Sequence, residues 1–267
     1  MVGEITRSRY TAILAIPLIS IPLASYVIHV FSQSNSPTDQ RYRPLIGGIR
    51  IEAPIDDYVM TGAIRYVAKD DQGNVGIVTA THIVDYKTSN EVYQPVIKKN
   101  NEIGKPTRIA ERIDAAFIPF PNYAPKMLYI ASNTSKVLTV KGYEDFYTVE
   151  LLVKCCNTDL FVCKTGTRTG TTCGKVIDTL LNTPWLDYVL VVNITCRVGD
   201  SGSPVYDVDI GEGDYDGDYQ AVLLGYLVAK LPYPPEEPRT PMPYVISVTG
   251  VIDELGVHPC TSFWWCP

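Results

Sequence analysis

The sequence has no excess of basic residues. Its 23 lysines and arginines are outnumbered by 29 aspartates and glutamates, which gives a formal net charge of -6 and a pI of about 5.1. No stripe of lysine or arginine runs along the chain. Nucleic-acid-binding proteins neutralise phosphates with clustered basic side chains, so nucleic acid is not an expected partner.

Paired metal-binding cysteines are lacking as well. None of the seven cysteines has the C-x-x-C spacing of structural zinc sites, which favours disulfides in an oxidising compartment. They are Cys155, Cys156, Cys163, Cys173, Cys196, Cys260 and Cys266. Their odd number leaves at least one thiol unpaired or shared between chains. We expect no metal ion and no cofactor.

The composition is that of a folded, strand-rich protein. A hydrophobic content of 46% and a charged content of 19% exclude a disordered chain, and 267 residues can bury one sizeable core or two small adjoining ones. Beyond the first forty residues, valine, isoleucine, threonine and tyrosine occur in short runs that glycine, proline, asparagine and aspartate interrupt. This pattern predicts an all-β domain.

One long apolar segment lies near the N-terminus. Residues 11–31 carry no charge unless His29 is protonated, and as a helix they would be about 31 Å long. That length matches a hydrocarbon core of about 30 Å, so the segment can span a membrane as a hydrophobic helix. Arg7 and Arg9 precede it, and the positive-inside tendency then places the N-terminus in the cytoplasm and the rest of the chain outside.

A cleaved signal peptide is the alternative for this segment. Pro17 and Pro22 interrupt the helix, and Ala24 and Ser25 are small residues that suit a signal peptidase. The apolar run exceeds the about 7–15 residues that are usual in signal peptides, which favours an uncleaved anchor at the cell surface. Either way the domain that follows is extracytoplasmic, and a membrane is a partner through residues 11–31 only if they are retained.

The chain divides into three parts. Residues 1–40 form a cytoplasmic stub, an anchor or signal segment and a linker, residues 41–258 form the β domain, and residues 259–267 form a tail with cysteine and tryptophan. Inside the domain, the runs 62–68 and 75–80 flank turn residues and predict a hairpin. The helical periodicity of 246–257 predicts one amphipathic helix near its end.

The string Gly-Asp-Ser-Gly-Ser-Pro at 199–204 is the most distinctive motif. Its glycines let the backbone bend tightly, so that two N–H groups can face a developing oxyanion. Ser201 is therefore a candidate nucleophile. By itself the string also fits an ordinary β-turn.

A serine nucleophile needs a base, and the chain has only three histidines. His29 lies in the apolar segment and His258 beyond the predicted helix, which leaves His82 at the end of an apolar strand. Asp114, which opens the apolar run 115–118, is the candidate carboxylate that would fix the tautomer of the base. Each residue has a structural alternative, as a surface or core histidine or as an aspartate that ends a turn.

The order of these three candidates narrows the interpretation. His82, Asp114 and Ser201 follow the chymotrypsin order, which differs from that of subtilisins and α/β-hydrolases. From about 45 to 257 the sequence resembles the chymotrypsin-like serine proteases, and most closely the streptogrisin and α-lytic protease group. The matching motifs are Leu-Ile-Gly-Gly-Ile at 45–49, Val-Thr-Ala-Thr-His at 78–82, Val-Lys-Gly at 140–142, the cysteine-flanked Lys-x-Gly-x-x-Thr-Gly segment at 162–174 and the Ser201 loop.

The resemblance implies a fold and a site. The fold would be all-β, with two perpendicular six-stranded β-barrels at about 45–135 and 136–258 and a C-terminal helix. The active site would lie between the barrels, with the N–H groups of Gly199 and Ser201 as oxyanion hole.

The resemblance also implies a support for the oxyanion loop. Cys163 and Cys173 would form a disulfide, and Lys164, directly after the first cysteine, would pair with a buried Asp200. No new N-terminal amine would then be needed, so the domain would be active without cleavage before Leu45.

These features predict a serine endopeptidase that hydrolyses protein or peptide substrates by acyl transfer. Two alternatives stay open: a protease-fold binding protein without catalysis, and a processing protease that cleaves in cis. Ile83 and Val228 stand where relatives often have cysteine and serine, which leaves the specificity undetermined. The acidic stretch 207–218 lacks the spacing of a known calcium loop and is better interpreted as a solvated loop.

Overall fold

The computed structural model describes residues 40–43, 45–84, 91–120, 129–131, 137–156, 159–209, 220–232 and 241–261. The apolar segment at 11–31, most of the acidic stretch at 207–218 and the last six residues of the tail lie outside the described residues. The expectations for those segments therefore stay predictions. Within the described residues, no helix is long and apolar enough to cross a membrane.

The N-terminal half is built from short antiparallel strands in two sheets. The strands are β1 (Arg50–Ile55), β2 (Tyr58–Ala63), β3 (Tyr66–Asp70), β4 (Val75–Ala80), β5 (Val92–Tyr93), β6 (Glu102–Gly104), β7 (Arg108–Ala110) and β8 (Ala115–Pro119). One sheet has the order β2-β1-β5-β6. Two 3-10 helices, Thr81–Ile83 and Glu111–Ile113, follow β4 and β7.

The hairpin predicted from the runs around residues 70–73 is confirmed as β3–β4. Its strands pair antiparallel from Tyr66 opposite Val78 to Lys69 opposite Val75. Asp70 stabilises the turn, because its Oδ1 accepts hydrogen bonds from backbone N–H groups two and four residues further on.

The C-terminal half forms a closed barrel. Its elements are β9 (Tyr129–Ala131), β10 (Val137–Tyr143), α1 (Phe146–Glu150), a π-helical turn (Leu151–Cys155), β11 (Phe161–Gly166), β12 (Gly170–Asn182), β13 (Asp187–Val192), β14 (Pro204–Asp209), β15 (Gln220–Pro232), β16 (Pro241–Ser247), α2 (Val248–Leu255) and β17 (Val257–Pro259). Six strands in the order β14-β11-β12-β13-β16-β15 close on themselves through β14–β15 pairing, and β10 and β9 extend the sheet from β15.

The expected double-barrel fold is confirmed, with one difference in the N-terminal half. That half is a curled pair of sheets and not a closed ring of six strands within the described residues, and β17 joins its second sheet, β17-β3-β4-β8-β7. The last strand therefore returns from the C-terminal barrel to pair with β3, from Val257 opposite Asp70 to Pro259 opposite Ala68.

One buried apolar cluster joins the two halves. It contains Val78 and Phe117 from the N-terminal sheets together with Val189 and Tyr226 from the closed barrel, all nearly or fully buried. Burial of apolar surface is the main stabilising contribution in such a core, so the halves are fixed against each other along the line where the candidate site lies.

The C-terminal helix is shorter than the predicted span 246–257. Ser247 caps its N-terminus by accepting a hydrogen bond from the N–H of Thr249, and Gly256 ends it in the left-handed region at φ 61°. Ile246 pairs with Val189 and Tyr226 in neighbouring strands and so belongs to β16. The apolar periodicity alone did not separate a buried strand end from the helix that follows it.

Candidate active site

His82 and Asp114 are brought together by the ends of two neighbouring strands. His82 lies in the 3-10 helix after β4, and Asp114 lies directly before β8, the partner strand of β4. Asp114 Oδ2 is 2.6 Å from His82 Nδ1, and Asp114 Oδ1 accepts the backbone N–H of His82 at 2.9 Å. With a proton on Nδ1 donated to the carboxylate, the neutral ring keeps an unprotonated Nε2 that can accept a proton.

Asp114 has an unusual backbone conformation. It is the C-cap of the Glu111–Ile113 helix and adopts left-handed angles, φ 47° and ψ 47°. Aspartate tolerates this region better than most residues. The conformation points its carbonyl to the N–H of Thr81, which donates to it at 3.0 Å. The strands and this turn together hold the carboxylate against the histidine.

A buried arginine that was not predicted from the sequence fixes the same turn. Arg65 is completely buried, donates from Nη2 to the carbonyl of Asp114 and stacks on the ring of Tyr226. The hydroxyl of Tyr226 donates to the carbonyl of Ile113. Two donors therefore clamp consecutive carbonyls beside the carboxylate. The only sign in the sequence was a single cation between apolar residues, directly before β3.

The burial of Arg65 costs free energy, because two of its nitrogens, Nε and Nη1, have no hydrogen-bond partner within the described residues. Burial lowers the pKa of the Arg65 guanidinium below its ordinary value, and the nearby Tyr226 and Asp114 oppose that change.

Ser201 lies in a tight loop that both halves of the molecule hold. The N–H of Ala63 donates to the carbonyl of Ser201 at 2.9 Å, and the N–H of Gly202 donates to the carbonyl of Leu227 at 2.7 Å. Gly202 has φ 81°, and a Cβ atom there would lie 2.4 Å from the carbonyl oxygen of Ala63. Glycine is thus required for the close approach of the two backbones.

The hydroxyl of Ser201 faces the same cleft as His82 but is bonded elsewhere. Its Oγ donates to the carbonyl of Val228 at 3.2 Å. Within the described residues there is no hydrogen bond between Ser201 and His82. The Ser201 side chain must rotate and break its hydrogen bond to the carbonyl of Val228 before its hydroxyl can donate to the imidazole.

The residues around Ser201 leave two N–H groups unused. The N–H groups of Gly199 and Ser201 have no acceptor within the described part of the chain. The carbonyl of Gly199 is occupied, because Thr167 Oγ1 donates to it at 2.5 Å, and Gly199 has the left-handed φ of 97°. Two neighbouring free donors beside a serine form the arrangement that stabilises an oxyanion.

Asp200 is fully buried and saturated with donors. Its carboxylate accepts the backbone N–H groups of Arg168 at 2.7 Å, Thr169 at 3.2 Å and Arg197 at 2.9 Å, and the hydroxyl of Thr169 at 2.7 Å. Lys164 Nζ lies 3.4 Å from its Oδ2, and both side chains are completely buried. Lys164 also donates to the Thr169 hydroxyl and to a backbone carbonyl.

The buried pair shifts both pKa values. Burial alone would raise the pKa of the Asp200 carboxyl, but the Lys164 ammonium, the Thr169 hydroxyl and the backbone donors hold it below its ordinary value. Burial lowers the pKa of the Lys164 ammonium, and the charge of Asp200 opposes that change. The two ions thus stabilise each other inside the loop that carries Ser201.

Cys163 and Cys173 form a disulfide between β11 and β12. They are directly opposed in the two strands, with their Cα atoms 4.0 Å apart. The bond closes the hairpin that carries Lys164 and Thr169, so it restrains the donors of Asp200.

Two of the candidate residues, His82 and Ser201, line one open cleft of about 1070 Å³. His82 and Ser201 lie in it together with Leu227 and Val228 of β15. The remaining described lining residues are Arg168, Cys196, Arg197 and Val198. The local sequence of the two arginines gives no sign that they line the same cleft. No described group of three His, Cys, Asp or Glu residues is arranged to hold a metal ion.

Comparison with known proteins finds likeness in structure only. No protein-family sequence profile matches the chain, and no curated protein sequence matches it. Among solved structures it is similar to the Nocardiopsis protease NAPase, with TM-score 0.55 and 18% identity over 81% of this chain and 98% of that one. Thermobifida fusca protease A gives 0.54 and 17% over the same shares, and an α-lytic protease homologue, N4, gives 0.53 and 14% over 80% and 98%.

These similarities show a shared fold. The closed barrel and the curled N-terminal sheets match the chymotrypsin-like double barrel. At identities this low, activity does not follow from fold alone.

Proposed function

We propose that the chain is a serine endopeptidase that hydrolyses peptide bonds with Ser201, His82 and Asp114 as its catalytic triad. The observation that carries the proposal is the hydrogen-bonded His82–Asp114 pair, which shares one cleft with a serine flanked by two unused N–H groups. The proteases of similar fold support the same conclusion.

The geometry suggests the following order of events. Ser201 Oγ attacks the carbonyl carbon of the scissile bond while His82 Nε2 takes its proton. The oxyanion receives the N–H groups of Gly199 and Ser201, and Asp114 stabilises the imidazolium. The imidazolium then gives its proton to the leaving amine, and water hydrolyses the acyl-enzyme by the same route.

The first step requires a small rearrangement. The Ser201 hydroxyl must leave the carbonyl of Val228, its acceptor at 3.2 Å, and turn to His82. A peptide strand that aligns along β15 would place its scissile carbonyl near these groups. Substrate binding would in this way favour the rotation of the Ser201 side chain towards His82.

We also propose that the domain works outside the cytoplasm, anchored by residues 11–31. The Cys163–Cys173 disulfide supports an oxidising compartment, where such bonds persist. Carbonate extraction of membranes tests the anchor: the full-length chain should stay in the pellet, and a mature N-terminus between Ser25 and Gln40 would contradict it.

The proposed activity is tested by incubating the purified protein with an unbiased peptide library. We expect endoproteolytic cleavage by the wild type and none by Ser201→Ala, with unchanged thermal unfolding of the variant. A wild type that binds peptides without cleaving them would favour the non-catalytic binding protein. Cleavage confined to its own chain, at a rate independent of protein concentration, would favour the cis-acting alternative.

A further inference from the structure

The described lining of the cleft has a charge opposite to the formal net charge of the chain. The formal net charge of the sequence is -6, yet the described lining residues include two arginines and no carboxylate. A local concentration of one charge inside a concave surface attracts ligands of the other sign. The cleft is therefore complementary to an anionic group.

The two cleft arginines differ from every other described arginine. The guanidinium groups of Arg41, Arg43, Arg50, Arg65, Arg108 and Arg112 all donate hydrogen bonds to protein oxygens. Those of Arg168 and Arg197 have no acceptor within the described part of the chain, and both side chains are exposed. Their five donors each are available to a ligand.

Arg168 lies against Gly199, one of the two residues whose N–H group has no acceptor within the described residues. Its backbone N–H is fixed to Asp200, and its side chain runs across Gly199, where a Cβ atom would lie 3.0 Å from Cγ and Nε of Arg168. The guanidinium therefore lies next to the site where the scissile carbonyl would bind.

Arg197 is held in a similar way by its backbone. It is four residues before Ser201, and its N–H donates to the Asp200 carboxylate at 2.9 Å. Asp200 thus anchors the main chain of both arginines, which leaves both side chains at the cleft. Two guanidinium groups on a rigid frame can bind a carboxylate in the planar, two-pronged manner that lysine cannot.

We propose that the cleft selects peptides with an aspartate or glutamate beside the scissile bond, with Arg168 and Arg197 as the specificity-determining residues. This inference rests on the proposed function and adds its substrate class. The carboxylate of such a residue would supply the acceptor that both guanidinium groups lack.

The experiment compares peptides that differ only in carrying glutamate or glutamine at one position. Purified full-length protein is given fluorogenic peptides with glutamate or glutamine at each of the two positions on either side of the scissile bond. At one or more positions, kcat/KM should be about 10- to 100-fold higher for glutamate, the range expected for charge-assisted hydrogen bonds. This advantage should fall as ionic strength rises, because the arginines are exposed to solvent.

Two double variants identify the source of the preference. Arg168→Gln with Arg197→Gln should bring the glutamate to glutamine ratio close to one while glutamine peptides are still cleaved. Lys98→Gln with Lys99→Gln removes the same charge from exposed residues that do not line the cleft, and it should keep the ratio.

The outcomes separate this inference from the proposed function. Equal cleavage of glutamate and glutamine peptides at all four positions, or an unchanged ratio in the double arginine variant, overturns the specificity and leaves the peptidase intact. If no peptide is cleaved by the wild type, both are overturned.

Discussion

Two buried carboxylates belong to the candidate site, Asp200 next to Ser201 in the chain and Asp114 against His82, and their surroundings differ. Asp200 is fully buried, pairs directly with Lys164 and accepts four further hydrogen bonds. Asp114 keeps both its oxygens for His82, and its buried cation, Arg65, donates only to its backbone carbonyl.

Under the proposed function, the difference separates a carboxylate that supports the loop from one that takes part in the reaction. A carboxylate that pairs with an adjacent ammonium stabilises the loop around it, but its hydrogen-bonding positions are already occupied and cannot serve a substrate. A carboxylate whose backbone is fixed and whose oxygens bind only a histidine can stabilise the positive charge that forms on the imidazole during a reaction. The comparison predicts that the two acids respond to substitution in different measurements.

Replacing the carboxylate that takes part in the proposed reaction should have the largest effect. Asp114→Asn should lower kcat by about 10⁴-fold with little change in stability, because an amide disfavours the His82 tautomer that accepts the proton of Ser201. Steady-state kinetics and thermal unfolding of the same preparation measure both quantities. A loss of less than tenfold would show that Asp114 does not orient the base.

Replacing the cation of the structural pair should show in stability first. Lys164→Met leaves the buried Asp200 charge without its partner, and the free energy of unfolding should fall by about 3–5 kcal/mol. Lys175→Met is the matched control, because Lys175 pairs with Asp159 on the exposed surface of β12 and such pairs contribute about 0–1 kcal/mol. Equal losses in urea unfolding of the two variants would contradict the role of Lys164.

The clamp behind Asp114 should have an intermediate effect on rate. Arg65→Met removes the donor to the Asp114 carbonyl, so kcat should fall by about 10- to 100-fold while KM changes little. Stability should change less, because the substitution also removes two buried nitrogens that have no partner. If Arg65→Met lowers the stability but the folded variant keeps the wild-type kcat, Arg65 acts only as a core residue.

The smallest expected effect is the pH dependence of the Lys164 contribution. The pKa of Asp200 is held below its ordinary value of 3.8, so the stability gained from the pair is fully present above that pH and is lost as pH falls through the folded value. The stability gap between the wild type and Lys164→Met should therefore narrow from pH 7 to pH 3. A gap that widens on acidification would mean that Asp200 is not the partner.

The sequence carried more information about one carboxylate than about the other. Asp200 and Lys164 lie in compact motifs, the Ser201 loop and the cysteine-flanked hairpin, so their roles could be inferred from a resemblance. The support of Asp114 depends on Arg65, which is 49 positions earlier. A contact of that kind is made by the fold and leaves no local pattern.

The two arginines of the cleft could not be predicted for the same reason. Arg168 and Arg197 line the same cleft because Asp200 binds the backbone N–H of each, and the residues next to them in the sequence give no sign of this. The fold class and the β3–β4 hairpin followed from apolar runs and turn residues, whereas the return of β17 to β3 depends on pairing across the whole domain.

The most direct test of the central claim is labelling with a fluorophosphonate, which reacts at an appreciable rate only with an activated serine. The native protein should be labelled at Ser201, as located by peptide mass spectrometry, and His82→Ala should lose most of the labelling rate while keeping its thermal unfolding. Labelling at another residue, or an equal rate in wild type and His82→Ala, would contradict the assignment of Ser201 as a nucleophile activated by His82.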